Sequence, residues 1–215
     1  MLDTCLHDNC LRCGTRLAQD WWLLCGECYA VMKNSTKANT TGHVLTIELV
    51  PSTCWYSNLR NAVSPAAWDA IRLATYAGSG HVCAICSASG VLHCHERWHY
   101  DDVQHVQRLD GFIALCRLCH SVKHIGYAEM FSDDYDGVVR HYLKVNGCSM
   151  DDFVVAKALA FGVWRERSCF DWVQDFGAYT PTVMASDSEG VGGPLKARHE
   201  HGFAKGGESW MNVVK

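Results

Sequence analysis

The chain lacks a surplus of positive charge: 19 Lys and Arg stand against 23 Asp and Glu, a formal net charge of -4. Proteins that coat nucleic acid nonspecifically are usually basic, so this balance counts against a simple nucleic-acid coat. A nuclease is not, because a local patch and a bound metal can supply the attraction. The first residues carry acid and lack the basic region and apolar run of a secretion signal. No stretch is long and apolar enough for a membrane span, so no membrane partner is expected. Disulfide scaffolding is also not the style of this sequence. Of 13 cysteines, eight fall in Cys-x-x-Cys pairs at 10/13, 25/28, 83/86 and 116/119, and five are left over. That usage fits metal binding in a reducing, cytoplasmic compartment.

A chain of 215 residues that is 48% hydrophobic can bury a real core in one ordinary domain plus a small one. Residues 1–33 read as a zinc ribbon or knuckle, with Cys10, Cys13, Cys25 and Cys28 as a structural zinc site. Cys5 or His7 can stand in for one of these ligands. So small a unit does not fold without its metal. It is expected to bind DNA or to dock a protein partner.

Residues 34–63 read as a polar linker followed by a strand over 43–50, stopped by Pro51. Ser64 and Pro65 open a helix, with Ser as cap and Pro at the first helical position. Two short strands are expected around the Cys83/Cys86 turn, the second over 90–95. Residues 97–110 read as an ordered polar loop with a short helix. The apolar run 112–115 leads into Cys116 and a helix that Gly126 would cap. Residues 131–179 form a helical extension: one helix from Tyr135 to the Asn146–Gly147 stop, one capped at Ser149, and a last strand within 170–179. The glycine-, serine- and charge-rich residues 180–215 read as a disordered tail. The fold class expected is α+β.

Cys83, Cys86, Cys116 and Cys119 form the second structural zinc framework, closed by four thiolates. It pins a helix on which His120 and His124 share one face, since positions i and i+4 are neighbours. His95 lies at the end of the facing strand. Three neutral imidazoles with open positions can bind a divalent metal that serves phosphodiester cleavage. Glu96, His93 and His99 are the nearby candidates for a general base. Arg97, Arg117 and Lys123 are candidate nucleic-acid contacts. Trp98 and Tyr100 can stack on bases, although the same stretch also reads as a mixed solvated face.

The pattern Cys83-x-x-Cys86, a histidine-bearing strand end at His93–His95, and Leu115-Cys116-x-x-Cys119-His120 resembles the HNH endonuclease family over residues 64–130. The resemblance implies a ββα-metal fold, DNA as partner and a single catalytic divalent cation (magnesium, manganese, nickel or zinc) beside two structural zincs. It places the family's ligand histidine on His120 and an added one on His124. At the strand end it makes His95 the ligand with Glu96 at the base position, or Cys94 the ligand with His95 the base. Catalytic residues on this reading are His95, Glu96 and His120. The sequence departs from the family in one respect: no asparagine occurs between His95 and Cys116.

Overall fold

The computed structural model describes residues 42–55 and 57–180. Within them the chain is α+β, with six α-helices and one three-stranded sheet. The expected ribbon (Cys10, Cys13, Cys25, Cys28) and the expected tail lie outside the described residues. Among the described residues no helix is long and apolar enough to cross a membrane.

After helix α1 (Leu59–Ala62), helix α2 (Pro65–Gly78) starts as the sequence predicts. The Ser64 side chain accepts the Ala67 N–H, and Pro65 occupies the first turn. Strands β1 (Leu92–Asp101) and β2 (Val106–Cys116) then form an antiparallel hairpin, and β3 (Val173–Asp175) pairs in parallel on the far side of β2. Residues 97–110 are therefore hairpin, not loop and helix. Arg97 and His99 point to solvent while Trp98 and Tyr100 are half-buried, the alternation of a two-faced strand. Trp98 packs edge-on against Phe176, and Tyr100 against Trp172. The register slips between Arg97 and Trp98, so that Asp110 is bulged beside Gly111, whose φ is 128°. The bulge turns both Leu109 and Phe112 to the same side.

The hairpin separates two cores. On one side lie Leu59, Ala62, Val63, Leu109 and Phe176, with Trp68, Trp98 and Phe112 around them. On the other lie Leu45, Leu115, Cys119, Val122, Ile125, Val138, Tyr142 and Phe153. The second core is covered by α3 (Arg117–Lys123), α4 (Ile125–Phe131), α5 (Tyr135–Asn146) and α6 (Met150–Arg167). Helix α5 ends on Gly147 at φ 62°, and α6 starts on a capping box between Ser149 and Asp152.

Further expectations for local structure fail. No strand precedes the Cys83/Cys86 turn, where Val82 and Ser89 form only an isolated bridge, and the strand expected to end at His95 runs on to Asp101. Residues 43–50 form no ladder; instead the Asn146 side chain accepts the Leu45 N–H and donates to the Leu45 carbonyl, both at 3.0 Å. Gly126 caps nothing. Helix α3 breaks at His124 and α4 begins one residue later, with Gly126 inside α4 facing the Phe161 ring.

Candidate metal centres

The first centre is the cysteine cluster. Cys83 and Cys86 sit in the turn before β1, Cys116 ends β2, and Cys119 lies in the first turn of α3. Cys116 Sγ caps α3 by accepting the Cys119 N–H at 3.5 Å. The four sulfurs all lie within 4.8 Å of one another, and Cys86 Sγ and Cys116 Sγ are 3.6 Å apart. Cys83 and Cys119 are fully buried. Burial pushes the Cys119 thiol far up, and negative charge on Cys116 and Cys83 pushes it further. Burial alone would raise Cys83, but backbone hydrogen bonds from Cys86, Cys116 and Ile85 outweigh it and bring the thiol down to about 7. Four thiolates this close repel one another unless a cation sits among them, and four sulfurs with no open position suit a structural metal.

Beside this centre lies a second, made of histidines. His95 comes from β1, His120 from the middle of α3 and His124 from its end. Their donor atoms lie within 4.8 Å of one another. Ring centroids are 5.4 Å apart for His95–His120, 4.9 Å for His95–His124 and 4.7 Å for His120–His124. His93, two residues before His95 and hence on the same face of β1, stacks on His120 at 4.9 Å with an interplanar angle of 14°. Burial holds the His120 ring down to about 2, helped by the neighbouring His124, His95 and His93. Burial likewise holds His124 down to about 3, with His95 adding to it. Burial lowers His93 too, with Arg117 as the lesser cause. His120 and His124 are thus neutral at pH 7 and keep a lone pair for a metal, and His95 brings a third imidazole to the same point. The donor set therefore fits a divalent cation.

The other expected site residues are not all gathered at these centres. Glu96 is on the opposite face of the hairpin, where its Oε1 accepts the Arg60 N–H at 3.3 Å. Burial raises its carboxyl to about 7, against the backbone hydrogen bonds of Arg60 and Leu59. Cys94 shares that face, with its sulfur 3.7 Å from Thr75 Oγ1, so it cannot join the histidines. His99 is exposed, four residues along the strand from His95, roughly 13 Å at strand rise. Arg97 and Arg117 are exposed. Lys123 is not on the surface: it is 5% exposed and ion-pairs with Glu48. Gln107, in the stretch that lacks an asparagine, is fully buried between Tyr100 and Gln174.

Two residues at the centres have no counterpart in the sequence reading. Glu48 Oε2 lies 3.3 Å from His95 Nε2, across 47 positions of chain. His141 Nε2, from α5, lies 3.1 Å from Cys119 Sγ. Neither has a motif around it, and contact between distant segments leaves no local signal. No family model matches the chain, and no curated protein or solved structure matches it either.

Proposed function

We propose that this chain is a metal-dependent endonuclease of the HNH type that hydrolyses phosphodiester bonds in DNA. The observation that carries the reading is the convergence of His95, His120 and His124 on one point, on a hairpin followed at once by a helix. That order of elements supports a ββα-metal site, and the adjacent four cysteines support a structural zinc that pins α3. Three imidazoles favour a transition metal over magnesium, which prefers oxygen ligands. When bound, the cation supplies positive charge to the scissile phosphate and the leaving oxygen.

The remaining work falls to the chain's own side chains. His93, neutral and half-buried beside His120, is the general base, taking the proton of the attacking water on an unprotonated ring nitrogen. Arg117, exposed at the start of α3 and close enough to depress His93, holds a phosphate oxygen. Glu96 and Lys123 have no part in this chemistry. Cys10, Cys13, Cys25 and Cys28 lie outside the described residues, and their proposed role, a second zinc site that docks DNA or a protein partner, rests on their spacing alone.

A second reading is a noncatalytic double-zinc module that binds nucleic acid or protein. It gains from the absence of an asparagine between His95 and Cys116 and from the net charge of -4. Nicking of supercoiled plasmid by wild type and His120→Ala, across Mg²⁺, Mn²⁺, Ni²⁺ and Zn²⁺, separates the two. The nuclease reading expects metal-dependent nicking that His120→Ala abolishes with the fold retained. No nicking with any metal, by protein shown to hold its cysteine-bound zinc, would select the binding module.

A further inference from the structure

Both oxygens of the Glu48 carboxylate are engaged. Oε1 ion-pairs with Lys123 Nζ and accepts the Thr46 hydroxyl at 3.0 Å, while Oε2 meets His95 Nε2 at 3.3 Å. Lys123 Nζ also donates to Thr46 Oγ1 at 2.9 Å, and the Glu48 N–H donates to the Lys123 carbonyl at 3.1 Å. The buried ammonium at the end of α3 thus fixes the carboxylate beside His95. A carboxylate only accepts hydrogen bonds, so the proton between the two groups belongs to His95 Nε2. A neutral imidazole protonated there carries its lone pair on Nδ1.

We propose that Glu48 is the positioning residue of the histidine centre: it fixes the Nε2–H form of His95 and turns Nδ1 toward a divalent transition-metal cation shared with His120 and His124. The inference rests on reading the three histidines as a metal site. Glu48 is not itself a donor to that cation. The close-packed donor group is His95, His120 and His124 without it, and neither of its oxygens is free. Carboxylates that orient ligand histidines in this way typically change metal affinity about 10–100-fold when removed.

The test uses the full chain with its cysteine-bound zinc in place and the histidine site stripped. Long-range ¹⁵N–¹H correlation spectra of the imidazoles report the tautomer of His95 directly, without a variant. The expected result is a proton on Nε2. Cobalt titration, read by visible absorption, then compares wild type with Glu48→Ala/Lys123→Met, which removes both charges so that no ammonium is left buried alone. The expected result is a fall in cobalt affinity of about 10–100-fold with zinc content unchanged. A His95 proton on Nδ1, equal cobalt affinities, or no cobalt binding by the wild type would each overturn the proposal. The expected tautomer and affinity loss without plasmid nicking would uphold it and sink the nuclease reading instead.

Discussion

His95 and Glu96 are consecutive on β1 and serve opposite faces of the hairpin: His95 meets His120 and His124, and Glu96 meets the backbone of α1. The strand's period of two leaves no room for both at one site. Glu96→Gln is therefore expected to leave metal-dependent nicking at the wild-type rate. It should also stabilise the protein at high pH. The Glu96 carboxyl is raised to about 7 by burial, against an ordinary 4.5, so its charge costs stability once the pH rises through that range. Urea unfolding at pH 8 should show a gain of about 1–3 kcal/mol for Glu96→Gln, shrinking at pH 5. Lost nicking in a folded Glu96→Gln protein would restore it as the base.

The histidines work in the other direction. His120 and His124 titrate near 2 and 3 in the folded chain, against 6.5 when unfolded. Below pH 6.5 the unfolded state binds two protons that the folded state refuses. Glu96 offsets one of them between 7 and 4.5. The net of one proton from these three groups lowers stability by about 1.4 kcal/mol per pH unit as pH falls from 6.5 to 4.5, and the lowered His93 and His141 add to the loss. Below 4.5 the loss steepens, because the Glu96 offset ends and because Glu48, which burial alone would raise, is held down at about 2 by the His95 hydrogen bond and Lys123. Urea midpoints of protein stripped at the histidine site, taken at pH 7, 6 and 5, check this. A flat profile would mean that the rings are open to water.

Much of this architecture was legible where the signal is local. The Ser64–Pro65 start, the Ser149 cap, the Asn146–Gly147 stop and both halves of the cysteine framework follow from residues a few positions apart. The three-histidine convergence was legible too, since a pinned helix places i and i+4 together and a strand faces it, although His95 lies within that strand and not at its end. The hairpin was not. Exposed Arg97, His99, Arg108 and Asp110 make its far half read as polar, and the bulge at Asp110 puts Leu109 and Phe112 on one side although they are three residues apart, which breaks the period of two. Glu48 escaped for another reason. Its partners His95 and Lys123 lie 47 and 75 residues away, and its own segment alternates like a strand while pairing with none.

His141 reaches the cysteine centre from α5 with Nε2 at 3.1 Å from Cys119 Sγ. An N–H donor on a metal-bound thiolate draws off negative charge and slows attack on the sulfur. His141→Phe should leave the zinc stoichiometry unchanged but speed zinc transfer to a chromogenic chelator, by about tenfold on the scale of such outer contacts. Equal transfer rates would show that the ring only packs against the sulfur.

Asn146 takes the place of a neighbouring strand for the segment that carries Glu48. Its side chain satisfies both the N–H and the carbonyl of Leu45, a residue with no exposed surface. Asn146→Ala leaves both backbone groups without these partners in the core, at a cost of about 2–4 kcal/mol. Asn146→Asp keeps an acceptor for the N–H but sets a negative oxygen against the Leu45 carbonyl, so it should not rescue. The loss should reach the histidine centre as well, because residues 43–50 hold Glu48 in place and are tied to α3 by the Glu48 N–H bond to the Lys123 carbonyl and by the Lys123 ammonium on Thr46 and Glu48. Asn146→Ala should therefore show a lower urea midpoint, faster amide exchange at Leu45 and weaker cobalt binding together. A stability loss under about 0.5 kcal/mol, the usual size for a surface change, would mean that water replaces the asparagine and that burial of Leu45 alone anchors the segment.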